Sequence, residues 1–142
     1  MPLFLIARIA GRTVAIESSQ VESVVDIGAV IPVPRAEQHV RGLAALRSRV
    51  VTVIETRAAL GLPAGDGSAM RAVITVVEGH HYAVLVDALE DVAAFDLMPL
   101  SAGVALDKGW QRVGRGIVDR DGEPILVIAL DVLIPGPVAL AA

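Results

Sequence analysis

The chain has 142 residues, a formal net charge of −4, 54% hydrophobic and 3% aromatic residues, and no cysteine. That length suits one domain, or two very small subdomains that share a core. The acidic balance argues against binding that works by neutralising nucleic-acid phosphates. The missing cysteines exclude disulfide and thiolate chemistry and fit a reducing cytoplasm.

Met1 to Ile6 is an apolar run without a basic leader, and Arg8 breaks it, so no signal peptide is expected. No stretch approaches the ~20 apolar residues that span a bilayer. The mean hydropathy of +0.65 must then be spent on a core and on interfaces. Valine occurs 22 times, with 13 glycines and 8 prolines. β-Branched side chains suit strands, and frequent turn residues shorten connections, so the composition predicts an all-β fold.

In chain order, Leu3 to Ile9 and Thr13 to Ile16 read as a hairpin closed at Ala10-Gly11-Arg12. Val21, Val24 and Val25 suit one helical turn or an irregular strand. Ile31-Pro32-Val33-Pro34 is extended, because each proline restrains the residue before it. Leu43 to Leu46 and Val50 to Ile54 form a second hairpin. Thr56 to Leu60 reads as a short helix, stopped by Gly61 and Pro63. Residues 63–68, Pro-Ala-Gly-Asp-Gly-Ser, are a linker.

After the linker the pattern restarts. A shift of 68 residues lays Ile6 on Ile74, Ile9 on Val77, Gly11 on Gly79 and Ala15 on Ala83. It also lays Val21-Glu22-Ser23-Val24 on Leu89-Glu90-Asp91-Val92. Gly42 through Leu60 is echoed loosely by Gly114 through Leu133, with Asp121-Gly122 as the second hairpin turn. The chain therefore reads as two copies of one β unit of about 65 residues, a size only marginally stable alone. Approximate subdomains at 13–66 and 67–135 follow, within a single domain over 1–142 whose first strand is open to sharing.

Catalysis needs converging polar groups, and few are offered. His80 and His81 are adjacent, so in a strand they point to opposite faces, and no HxH or HExxH spacing joins them or His39 into a metal set. There is no GxSxG and no P-loop, and Lys108 is the only lysine. No catalytic residue, metal ligand or cofactor is assigned.

Charge is more informative. Residues 35–57 carry Arg35, Arg41, Arg47, Arg49 and Arg57 against Glu37 and Glu55, whereas residues 78–107 carry Glu78, Asp87, Glu90, Asp91, Asp96 and Asp107 without lysine or arginine. Arginine is favoured at protein interfaces because its fork pairs with carboxylates while its stem packs. Arg47 ends an apolar strand and is held by its own hairpin, which gives it a defined direction.

The segment Gly42-Leu43-Ala44-Ala45-Leu46-Arg47-Ser48-Arg49-Val50-Val51-Thr52-Val53-Ile54-Glu55 resembles the signature of the CheW family of bacterial chemotaxis coupling proteins. Ala15 to Val24, Ile31 to Pro34 and Leu85 to Val92 also fall at family-like spacing, so the resemblance covers roughly residues 3–134. The family's Asn-Leu-Arg-Gly stands here as Ala45-Leu46-Arg47-Ser48, and its Asp-Leu as Glu55-Thr56. The tail after Ile134 is short, without an expected terminal helix.

The resemblance implies two SH3-like five-stranded barrels packed side by side, with few short helices. It implies a cytoplasmic, non-catalytic adaptor that bridges the chemoreceptor tip to the histidine kinase CheA, without membrane insertion. Arg47 matches the family's receptor-associated arginine, and Val21 and Glu22 match positions near a receptor-facing groove between the barrels. The kinase would meet an apolar end of the first barrel, with no residues assigned. Two alternatives stand beside this reading: a divergent scaffold of another two-component pathway, and a small-ligand or metal-binding barrel using His39, His80 and His81.

Overall fold

The computed structural model describes residues 1–100 and 106–134. Ten strands and three short helices lie among them: β1 (Leu3–Ile9), β2 (Arg12–Glu17), β3 (Ser23–Asp26), β4 (Val40–Leu46), β5 (Arg49–Ile54), α1 (Thr56–Ala59), β6 (Arg71–Val77), β7 (His80–Val86), β8 (Ala88–Ala94), α2 (Lys108–Val113), β9 (Gly114–Arg120), β10 (Glu123–Ile128) and α3 (Leu130–Leu133). They form two five-stranded sheets, in the orders β3-β6-β7-β5-β4 and β8-β1-β2-β10-β9. Each sheet wraps its own apolar centre as an SH3-like barrel, so the expected fold class is borne out. The first barrel encloses Ile27, Ala44, Val51, Val53, Ala72, Ile74, Ala83 and Leu85. The second encloses Phe4, Ile6, Ala15, Val118, Ile125 and Val127.

A third apolar cluster joins the barrels. Leu5, Ala7, Ile9, Val14, Ile16, Leu126 and Ile128 of the second barrel meet Val40, Ile54, Val73, Tyr82, Val84 and Val86 of the first. The strands along this seam are buried on both faces: in β1, Phe4 and Ile6 point into the barrel while Leu5, Ala7 and Ile9 point into the seam. That explains why β1 and β7 read as continuous apolar runs and not as alternating ones. It also places the surplus hydropathy, since each such side chain contributes about 1.5–3 kcal/mol on burial.

The repeat is real, but its copies are not the barrels. β1 and β6 match at the shift of 68, as do the starts of β2 and β7. The first barrel nevertheless takes β3, β4 and β5 from one copy and β6 and β7 from the other, and the second takes β1 and β2 with β8, β9 and β10. The boundaries at 13–66 and 67–135 are corrected accordingly: the first barrel's strands run from Ser23 to Val86, and the second is assembled from both flanks. The borrowed strands join through parallel pairs, β5 with β7 and β10 with β2.

The later register also needs correction. Val40 pairs with Ile54 and Gly42 with Val53, across a bulge; Gly114 pairs with Ile128 and Gly116 with Val127, across the equivalent bulge. Gly42 therefore corresponds to Gly116, not Gly114. The isolated bridges Ile31–Leu43 and Met98–Ile117 obey the same correspondence.

Local chemistry sets the turns. Ala10-Gly11, Glu78-Gly79 and Asp121-Gly122 have positive φ at both positions, the type I′ geometry that fits the twist of hairpin strands. Val21, Val24 and Val25 do not form a helical turn. A 3-10 turn at Ser18–Gln20 leads into strand β3. Helix α2 was not anticipated, because six residues including Gly109 show too little periodicity. The tail beyond Ile134, expected to lack a helix, lies outside the described residues.

Arg112 of α2 ties the two copies together. It donates to the Ala59 carbonyl at 2.8 Å, to the Leu133 carbonyl at 3.4 Å and to the Val132 carbonyl, at the ends of α1 and α3. A cation at the open carbonyls of a helix end satisfies acceptors and complements the dipole. At the start of α3, the Gln20 side-chain oxygen accepts from the Leu130 N–H at 2.6 Å.

One buried group is unmatched. The Tyr82 hydroxyl lies in the seam without a hydrogen-bond partner among the described residues. Burial, with Glu78 adding to it, raises its pKa above the ordinary phenol value. An unpaired buried hydroxyl costs about 1–3 kcal/mol. Tyr82→Phe is therefore expected to raise stability by about 1 kcal/mol. A urea midpoint equal to or below wild type would count against that accounting.

Candidate functional site

The β4–β5 hairpin projects Arg47 at its tip. Arg47 takes φ +56°, a left-handed conformation unusual for a non-glycine residue, in the position where the family motif leads into glycine. The side chain is exposed and makes no ion pair or hydrogen bond among the described residues. Of the other arginines of that segment, Arg41 pairs with Glu55 and Arg49 with Glu22 at 2.9 Å, whereas Arg35 and Arg57 make no ion pair among the described residues. Among the described residues, no arginine of residues 35–57 makes an ion pair with a carboxylate of residues 78–107. Glu90 of the latter is bracketed by Arg8 at 3.6 Å and Arg120 at 3.3 Å.

Arg47 opens onto a recess of about 320 Å³ at one end of the first barrel. Glu22, Val24, Leu46, Arg49 and Ile74 line the same recess. The structure thus brings together Arg47 and Glu22, which are far apart in sequence. Val21 is not part of the recess. It is half-buried against the seam and lines an adjoining groove of about 730 Å³ between the barrels, with Glu17, Gln20, Thr75, Val127 and Asp131. Glu22 borders both hollows, so recess and groove form one continuous surface.

Two partners of Glu22 were missed in the sequence. Arg49 Nη1 donates to Glu22 Oε1 at 2.9 Å and stands 2.6 Å from His81 Nε2, while His81 Nε2 lies 3.2 Å from Glu22 Oε2. Glu22, Arg49 and His81 come from the approach to β3, from β5 and from β7, and no spacing rule links them. The only available hint was charge, a glutamate and a set of arginines in neighbouring strands.

The histidines stand apart in role. His81 faces Glu22, and His80 is exposed at the start of β7. Burial lowers the His39 pKa, opposed by Glu37 and assisted by Arg112. Among the described residues no three His, Cys, Asp or Glu side chains gather to hold a metal, so the three-histidine alternative lacks the site it requires.

Apolar residues are exposed on both barrels. On the first, Ile31 is 70% and Val50 63% exposed, and Leu43 pairs with Ile31 across a bridge. On the second, Leu97 and Met98 occupy the related position. No helix of the described residues is long and apolar enough to cross a membrane.

Two barrels fused along an apolar seam, with a charged recess opening into a groove between them, define a docking module of the paired-barrel class. The model of the CheW-like domain matches residues 3–137, and the chain belongs to that family. It is 26% identical over 106 residues to the chemotaxis protein CheW of Rhizobium meliloti (strain 1021), covering 73% of this chain and 68% of the relative. It is 23% identical over 123 residues to the chemotaxis protein CheW of Thermotoga maritima, covering 87% and 81%. The fold matches the crystal structure of the scaffolding protein TtCheW from Thermoanaerobacter tengcongensis with a TM-score of 0.79 and 22% identity, over 94% of this chain and 92% of that one. The family resemblance in the sequence is therefore borne out.

Proposed function

We propose that this protein is a non-catalytic chemotaxis adaptor that holds the cytoplasmic tip of a chemoreceptor against a CheA-type histidine kinase. Membership of the CheW-like family across residues 3–137 supports the adaptor role. The observation that carries the receptor side is Arg47: an unpaired cation at a hairpin tip, sharing a recess with Glu22, which continues into the groove bordered by Val21. A helical receptor tip would lay acidic and apolar side chains along that surface, with the charge read by Arg47 and the apolar face by Val21 and its neighbours. The apolar end of the first barrel, exposing Ile31, Leu43 and Val50, suits the kinase contact. A receptor's cytoplasmic tip and a CheA-type kinase as partners support a cytoplasmic site of action.

Arg47→Glu tests the receptor side. Loss of a charge-assisted contact costs about 1.5–3 kcal/mol, so affinity for a receptor cytoplasmic fragment is expected to fall by roughly 10- to 100-fold. Kinase binding and the thermal transition should stay near wild type. Unchanged receptor affinity in the folded variant would remove Arg47 from the docking surface.

A further inference from the structure

We propose that Arg49, oriented by His81, is the positioning residue of the recess: by holding Glu22 it leaves Arg47 as the uncompensated cation that meets the partner. The inference rests on the receptor-docking reading of Arg47. Arg49 follows Arg47 by two residues and leads back down β5, while Glu22 is pinned from the other side by its own N–H, which donates to the Ile74 carbonyl at 2.8 Å. Arg49 Nη1 donates to Glu22 Oε1 at 2.9 Å and stands 2.6 Å from His81 Nε2, which itself lies 3.2 Å from Glu22 Oε2. These contacts pack the imidazole and the guanidinium together beside the carboxylate.

Such a pair adds little to folding. The Arg49 and Glu22 side chains are 51% and 42% exposed, and exposed ion pairs contribute weakly to stability. Its consequence is local charge. Glu22, Arg47 and Arg49 all line one recess. Without Arg49, the Glu22 carboxylate would keep only His81 beside it and share the recess with Arg47. It would then draw Arg47 inward and repel an acidic group arriving from the partner. With Arg49 in place, one glutamate is matched by one arginine, and the second arginine is free for recognition.

The test is a double-mutant cycle in the full chain, read as affinity for a receptor cytoplasmic fragment beside wild type and Arg47→Glu. Arg49→Gln is expected to weaken binding about tenfold, and adding Glu22→Gln is expected to restore it to within about threefold of wild type. Unchanged affinity in Arg49→Gln would overturn the inference, as would a double variant no tighter than Arg49→Gln alone. A partner-free readout keeps the two readings separate. The Arg47 Nε–Hε NMR resonance should move in Arg49→Gln and return in the double variant, whether or not the receptor binds. A resonance that ignores Arg49→Gln refutes the positioning role, whereas a wild type that fails to bind the fragment refutes only the receptor reading.

Discussion

Gly42→Val is expected to cost more than about 4 kcal/mol and to remove the cooperative unfolding transition of the first barrel. Gly42 has φ +154° at the bulge where β4 turns to meet both β5 and the Ile31 segment. A Cβ there would run into the Ile31 carbonyl, with Ile31 C at 2.8 Å and Val30 Cγ1 at 2.9 Å. Two costs add: a conformation that L-residues rarely adopt, and a clash with main chain in a close-packed wall. A control separates them. Gly11 has φ +80° but would present its Cβ to open space. Gly11→Ala should therefore cost only the conformational part, about 1–2 kcal/mol. Urea unfolding followed by far-UV circular dichroism checks both. Near-equal losses in the two variants would mean that the approach of Ile31 to Gly42 is not tight in solution.

Trp110→Ala should cost about 3–5 kcal/mol, the usual penalty for emptying a large aromatic site. Trp110 is only 3% exposed and belongs to the seam cluster. The backbone brings it there because Gly109 lies against the Leu60 carbonyl, too close for any side chain. Above the ring sits the Arg12 guanidinium, 5.2 Å from the centroid, a cation–π contact of about 0.5–1 kcal/mol at an exposed site. Packing therefore outweighs the cation by several-fold. Trp110→Phe should retain most of the stability, while Arg12→Ala should cost no more than about 1 kcal/mol. Thermal melts of the three variants rank the terms, and an Arg12→Ala loss as large as that of Trp110→Ala would reverse the ranking.

The parts legible in sequence were those fixed by local chemistry. Ala10-Gly11 and Asp121-Gly122 marked turns because few residues accept positive φ, and the run from Val50 to Ile54 could only be a strand. The 68-residue repeat was visible because β1 and β6 need the same apolar spacing. What the repeat could not reveal was partnership. A strand carries the same pattern whether it pairs within its own copy or with the other, so the exchange of β1 and β2 against β6 and β7 left no mark. The glycine register slipped by two residues because Gly114 and Gly116 stand at alternate places in one strand, and only the bulge distinguishes them.

At the candidate site, Arg47 was legible because its hairpin is contiguous. Its relation to Glu22 came through the family pattern. The Arg49–His81 support was not legible, since it depends on β5 and β7 lying side by side in parallel, with Thr52 beside Tyr82.

The exchanged strands have a genealogical consequence. Each barrel draws on both copies, and the pairing in one sheet is reproduced in the other when β1 is traded for β6, β2 for β7, and so on through β5 for β10. A half-length ancestor with five strands could therefore satisfy its edges by lending its first two strands to a twin and borrowing the twin's in return, as a symmetric swapped dimer does. Joining the twins through the stretch at 63–68 would turn that association into an intramolecular one, freeing the two faces to diverge. Arg115 and Asp131 on one side and Arg41 and Arg57 on the other occupy corresponding places under that symmetry, yet line grooves of different charge. Duplication and fusion would thus have given one polypeptide two unlike docking faces from a single inherited surface.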